Sequence, residues 1–201
     1  DPYRWLEDLN APETGAWIEA QNKLTFKVLE RIPGRTAIQE RLTALWDYPK
    51  AGPPFKRADH YFQFRNTGLQ NQDVLYVMAT PTDPGEVLID PNTLSEDGTV
   101  ALTGVSVSWD GKWVAYATIT SGSDWKTWHV REVATGKDLP DTTKWSKFSG
   151  ATWLPDSSGF LYGRYAEPGE GTEYAEANSY HHVYLHRLSA TAAKATGQAQ
   201  D

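Results

Sequence analysis

Val107-Ser-Trp-Asp-Gly-Lys-Trp-Val-Ala-Tyr116 and Ala151-Thr-Trp-Leu-Pro-Asp-Ser-Ser-Gly-Phe-Leu-Tyr162 read as two copies of one unit. Each has a Trp at the end of a strand, a turn rich in Asp and small residues, and then a strand led by an aromatic residue. Arg57-Ala-Asp-His-Tyr-Phe-Gln-Phe64 is a fainter third copy. Aligning Tyr61, Trp113 and Phe160 gives spacings of 52 and 47 residues. A period of about 40–50 residues with several strands per unit is the signature of a β-propeller blade. Units at residues 48–100, 101–150 and 151–201 follow. Propellers close with about four to eight blades, so three units predict a partial propeller that a longer protein, or partner chains, must complete.

The strand pattern extends outward from these copies. Phe62 and Phe64 share one face, and Tyr61, Gln63 and Arg65 the other. Residues 74–79 form a more continuously apolar run, and further strands are expected at 112–119, 125–133, 160–165 and 182–188. Ala134-Thr-Gly-Lys137 has the composition of a tight hairpin turn. The first 47 residues differ. Asn10 and Glu13 stand at capping-box spacing with Pro12 between them, and Trp17, Gln21, Leu24, Val28 and Ile32 follow at helical spacing, predicting a buried stripe. Pro33-Gly34 ends that helix. A second begins near Thr36, carries Ile38, Leu42, Leu45 and Trp46 on one face, and stops before Pro49. Helices first and strands afterwards imply two structural units.

Composition narrows the function classes. Nine Trp, ten Tyr and six Phe in 201 residues suit the layers between sheets and argue against disorder. A net charge of -7 without a Lys/Arg stripe argues against nucleic acid as a partner. The absence of cysteine excludes disulfides, zinc-thiolate sites and Cys nucleophiles. No apolar run approaches the ~20 residues of a membrane helix, and no signal peptide is visible. A cytoplasmic or periplasmic protein is expected, the cytoplasm being favoured.

Several longer stretches carry a resemblance. Asp1-Pro-Tyr-Arg-Trp-Leu-Glu-Asp8, Glu19-Ala-Gln-Asn22, Tyr48-Pro49, Asn66-Thr-Gly-Leu-Gln-Asn-Gln72, Asp90-Pro-Asn-Thr-Leu-Ser-Glu-Asp-Gly-Thr-Val-Ala-Leu102 and Gly122-Ser-Asp-Trp125 occur in order and at compatible spacing. Over residues 1–188 the chain resembles the N-terminal portion of the prolyl oligopeptidase family of serine peptidases. The resemblance implies a mainly β fold. It comprises the early blades of a seven-bladed propeller at 48–201, preceded by a helical segment, 1–47, that belongs to an α/β-hydrolase-type peptidase domain. It implies cleavage of short proline-containing peptides after proline by a Ser-His-Asp triad, with the propeller excluding folded proteins and with no cofactor.

This stretch contains no catalytic residue by that reading, because a G-x-S-x-G nucleophile elbow is missing. Gly104-Val-Ser106-Val-Ser108 is the nearest approach and reads as a strand. The chain alone is expected to be inactive, with its unfinished sheets promoting association. Two positions carry implied substrate-facing or interdomain roles. Asp124 would face the peptidase domain and pair with a substrate-contacting Arg, against a reading as an ordinary turn residue. Phe148 would wall the outer substrate pocket, against a reading as a core residue between blades.

Other features read as structural. His182 and His186 alternate along a strand, about 13 Å apart at ~3.3 Å per residue, too far for one metal ion. Glu167, Glu170, Glu173 and Glu176 lack the order of a calcium loop and read as a solvated turn. Trp17, Trp46, Trp109, Trp113, Trp125 and Trp153 read as packing residues. Residues 189–201 lack strand alternation. Two alternatives compete with the peptidase reading: a partial-propeller binding module, and a related oligopeptidase cleaving after basic residues. Residues 67–72 lean toward the prolyl branch.

Overall fold

Three antiparallel sheets follow one another along the chain in the computed structural model, which describes residues 1–169, 171–174 and 177–189. The first contains β1 (Lys50–Ala51), β2 (Phe55–Arg57), β3 (His60–Asn66), β4 (Val74–Met78) and β5 (Glu86–Ile89), with β1 and β2 both paired to β3. The second runs β6 (Val100–Val107), β7 (Trp113–Thr120), β8 (Lys126–Glu132) and β9 (Asp138–Ser146), and the third β10 (Thr152–Trp153), β11 (Gly159–Arg164) and β12 (His182–Arg187). Apart from β1, which pairs β3 beside β2, chain neighbours pair in each sheet as a meander, the pattern of a propeller blade.

β5 and β9 lie outside the runs expected from alternation, and β6 extends the strand read at Gly104–Ser108 back to Val100. β6 is broken by Gly104, with a register shift between Leu102 and Gly104. β9 is largely polar, as befits an outer strand.

The sheets are held face to face by two cores. Phe62, Leu75, Leu88 and Ile89 of the first sheet meet Val107, Val114, Tyr116 and Val133 of the second. Trp113, Ala115, Ala117, Trp128 and Val130 meet Trp153, Phe160, Tyr162 and Leu188 on the other side. Alternate residues of β7 therefore enter different cores, and Trp113 through Ala117 are buried on both faces. A strand covered on both faces reads as a continuous apolar run. Phe62, Trp113, Trp128 and Phe160 are at most 2% exposed. Each stabilises the fold by about 1.5–3 kcal/mol relative to exposure.

The turns explain the repeat and correct its alignment. Ala58, Gly111 and Ser157 all adopt left-handed backbone, with φ of 47°, 72° and 59°. Each stands two residues before its second strand, so His60, Trp113 and Gly159 are the equivalent positions. Matching hydrogen bonds, Ser108 N–H to Trp113 C=O and Leu154 N–H to Gly159 C=O, fix that register. Tyr61 and Phe160 correspond to Val114, not to Trp113. Trp113 and Phe160 point in opposite directions and meet across the same junction.

Polar clasps join the outer strands. Arg131 pairs bidentately with Asp138 at 2.7 and 2.8 Å, and also donates to the Leu88 carbonyl of the first sheet at 2.7 Å. Tyr116 Oη donates to Asp138 at 2.9 Å; burial and that carboxylate push the phenol up to about 12. On the other side Asp141 accepts from His186 Nε2 at 2.9 Å and from the Ser189 N–H at 2.8 Å. His182 and His186 do alternate on a strand, and no three-residue metal cluster occurs among the described residues.

The helical segment departs from expectation at its cap. α1 (Pro12–Leu29) begins with Pro12 at its first turn and Ala11 at the cap; no side chain caps it, so Asn10 plays no such part. Its fixed φ lets proline start a helix unaided. The stripe is left uncovered in this chain. Trp17, Leu24, Val28 and Ile32 are 42–59% exposed, as are Ile38, Leu42, Leu45 and Trp46 along α2 (Arg35–Trp46) at 50–64%. Helical spacing predicts a face that seeks a partner, and none of the described residues supplies one. Thr14 is the one buried residue of α1; its hydroxyl donates to the Trp5 carbonyl. No described helix is long and apolar enough to cross a membrane.

Candidate functional site

Antiparallel connection sorts the loops onto two ends of the sheets. Tight turns at 58–59, 108–112, 133–137 and 154–158 lie at one end. The other end carries the longer connections at 67–73, 90–99, 121–125, 147–151 and 165–181. β1 enters there too, since Lys50 pairs with Asn66, so α2 adjoins the same end. Lys50 Nζ holds the corner by donating to the Trp46 and Gly68 carbonyls at 3.0 and 2.8 Å. The amino-terminal residues Arg4, Glu7 and Asp8 line a cleft of about 950 Å³ with Gly171 and Tyr174.

Two motif stretches build the floor at this end. Asn66 folds its own loop, donating to the Gln70 carbonyl and to Asp73 while accepting from the Gly68 N–H. Gln72 and Asn92 exchange reciprocal hydrogen bonds at 3.0 Å, and Asp90 orients Asn92. The Gln72 side chain then completes the edge of β6, donating to the Val100 carbonyl and accepting from the Leu102 N–H at 2.8 Å each. Residues 66–72 and 90–102 are thus one interlocked structural device.

Asp124 and Phe148 both project from this end. Asp124 is exposed in the turn between β7 and β8. Phe148 is 74% exposed in the connection from β9 to β10, so the described residues do not bury it between the second and third sheets. Its φ is 52°. A non-glycine residue held there costs about 1–3 kcal/mol and persists only where surroundings over-determine it. Phe148 lines a cleft of about 370 Å³ between the second and third sheets, with Gly104, Lys126, Trp128 and Ala151.

Sequence reasoning missed the residue between them. Lys147 is only 7% exposed. Its ammonium sits 3.7 Å from the centroid of the Trp125 ring and donates to Asn178 Oδ1 at 3.2 Å. Burial lowers its pKa, and the charge of Asp124 works against that fall. Trp145 and Tyr165 meet Trp125 edge-on, and Trp125 Nε1 donates to the Glu173 carbonyl at 2.8 Å. The partners of Lys147 are far apart in sequence, so no local pattern marks it.

The remaining candidates scatter. Trp113 and Trp153 are buried as expected and Trp125 is half-buried, whereas Trp17, Trp46 and Trp109 are 42–64% exposed. Trp109 lies under the Arg57 guanidinium and donates to the Trp153 carbonyl. Glu167 and Glu173 fall in the connection before β12, while Glu170 and Glu176 lie outside the described residues, as does the tail beyond Ser189.

Residues 1–196 match the prolyl oligopeptidase N-terminal β-propeller domain. The chain belongs to that family. It is 40% identical over 201 residues to a prolyl endopeptidase of Elizabethkingia meningoseptica, covering all of this chain and 27% of that protein. It is 38% identical over 193 residues to prolyl oligopeptidase A of Amanita bisporigera, covering 86% of this chain and 25% of that one. A solved prolyl endopeptidase superposes with a TM-score of 0.81 at 34% identity, covering 94% of this chain and 28% of that chain. Prolyl oligopeptidase B of Galerina marginata, solved with a 35-residue hydrolysis and macrocyclization substrate, gives 0.76 at 32% identity over 93% of this chain and 29% of that one. The chain therefore spans about a quarter of the length of these relatives and corresponds to their N-terminal propeller portion. It carries no nucleophile elbow of its own.

Proposed function

We propose that this segment forms part of the wall of a peptide-admitting chamber in a serine endopeptidase cleaving short peptides after proline. Residues 48–201 supply early blades, and residues 1–47 belong to the peptidase domain, whose surface would cover the apolar faces of α1 and α2. The observation that carries this reading is the joint display of Asp124 and strained, exposed Phe148 on the end of the sheets where α2 attaches. An exposed carboxylate there is placed to hold a guanidinium of a facing domain. An exposed aromatic at a cleft mouth suits the apolar side chains of a peptide.

The division of labour follows from chemistry. The triad of the facing domain would perform acyl transfer, its Ser attacking the carbonyl of the proline residue while His takes the proton. The propeller end adds no reacting group. It restricts access and contributes binding away from the scissile bond, which can be spent on positioning the substrate.

Kinetics of the full-length enzyme containing this segment provide the test. Phe148→Ala should raise KM for peptides long enough to reach the cleft by about tenfold, with little effect on dipeptide substrates. Asp124→Ala should lower kcat/KM by about tenfold or more through release of its partner Arg. Wild-type kinetics on long peptides in both variants would return the two residues to structural roles.

A further inference from the structure

Lys147 occupies a place that lysine seldom takes. Lysine is almost never fully buried without a partner, because desolvating an ammonium is costly. Here that cost is offset by the Trp125 π-face, by Asn178 and by attraction to Asp124. The groups involved come from three separate connections: 121–125, 147–151 and 165–181. A hydrophobic side chain of the same length would fill the volume but could not join them.

The backbone around Lys147 points the same way. Trp145 and Phe148 both hold left-handed backbone, with φ of 64° and 52°. Lys147 lies between them, and its neighbour Ser146 is bound on both sides. The Ser146 hydroxyl donates to the Gly163 carbonyl at 2.7 Å and accepts from Trp128 Nε1 at 3.1 Å. Two strained residues close together require something on each side to hold them. Ser146 anchors the strand side. Lys147 anchors the loop side, and Phe148, which has no such tether, is presented to solvent.

We propose that Lys147 is a positioning residue for peptide recognition: its ammonium, seated on Trp125 and bonded to Asn178, fixes the Asp124 turn and the Phe148 backbone in one arrangement. The inference rests on the peptide-facing reading of Asp124 and Phe148. It adds that the two residues act as a unit because one buried cation holds both.

The test uses the full-length enzyme containing this segment. Lys147→Met keeps an unbranched, mostly apolar side chain, one atom shorter, and removes its charge. Lys147→Arg keeps the charge, and Asn178→Ala removes one arm alone. In Lys147→Met, hydrogen exchange at 121–125 and 177–182 should quicken by about tenfold, the loss expected for one charge-assisted hydrogen bond. KM for long proline-containing peptides should rise by about tenfold while kcat shifts less than twofold. Asn178→Ala should show a smaller change of the same kind, and Lys147→Arg should restore both readouts.

Faster exchange with unchanged KM would overturn the proposal, leaving Lys147 as a packing element. Unchanged exchange in Lys147→Met would overturn it as well, because the three connections would then hold without the cation. A failure of the wider reading looks different. There Phe148→Ala itself leaves KM for long peptides unchanged, while exchange in Lys147→Met still quickens.

Discussion

Replacing Asp141 by Ala removes the clasp between the second and third sheets. The carboxylate is 7% exposed, and its Oδ1 accepts from His186 Nε2 at 2.9 Å and from the Ser189 N–H at 2.8 Å. Truncation leaves both donors facing a low-dielectric junction. Hydrogen bonds to a charged group contribute about 1.5–3 kcal/mol each, and the second donor, near the end of β12, belongs at the low end of that range. A loss of about 3–4.5 kcal/mol at neutral pH follows. With a urea slope of about 1–3 kcal/mol per molar for a small protein, the unfolding midpoint should fall by about 1 M or more. Burial raises the Asp141 pKa, but hydrogen bonds from His186 and Ser189 outweigh it and hold the carboxyl below its ordinary value. A depressed carboxylate stabilises the fold above its unfolded pKa, about 3.9, and that contribution disappears as pH falls through the folded value. Urea unfolding followed by Trp fluorescence at several pH values reads this directly. The gap between wild type and Asp141→Ala should be full at pH 7 and shrink below about pH 4. A gap under about 0.5 kcal/mol at pH 7, the usual range of a neutral surface change, or one that widens on acidification, would refute the reasoning.

Two further outcomes follow from the sheets. Gly159→Ala places a Cβ against the His186 carbonyl and the Arg187 backbone, so β12 must shift; a loss of about 1–3 kcal/mol is expected, visible as a lowered Tm, and an unchanged Tm would show that the two strands are not held so closely. Tyr116 should ionise near pH 12, and the stability linked to its raised pKa should be intact below about pH 10 and vanish as pH rises toward 12; an ultraviolet titration of Tyr116→Phe that loses a transition near pH 10 would contradict this.

Much of the fold was legible because it rests on local chemistry. The Asp-containing turns and the alternation at Phe62 and Phe64 mark strands wherever one face is buried and the other wet. The one-residue error at Trp113 has a physical origin. Large aromatic residues were matched by size, whereas the turn equates positions by backbone conformation, and Ala58 and Ser157 give no sign in sequence that they adopt the shape of Gly111. β9 was hidden because an outer strand has little apolar pattern to show. The helical stripe was legible as a face, since periodicity identifies a surface that wants cover without naming what covers it. At the candidate site, the positions of Asp124 and Phe148 came from resemblance alone. Lys147 was invisible because its role depends on Trp125 and Asn178, brought to it by strands far apart in sequence.

β7 has cores on both sides along Trp113–Ala117. Such a strand has no neutral ground. A change at an even position disturbs one junction and a change at an odd position disturbs the other, so the strand cannot be altered to suit a new task. Whatever novelty this sheet acquires must be exported to the places where its chain leaves the sandwich. One exit, at 108–112, is consumed by the tight turn and its contact with the neighbouring blade through Ser157. The other is the turn at 121–125, which carries Asp124. The rigidity of the middle sheet and the location of its chemistry are two aspects of one constraint.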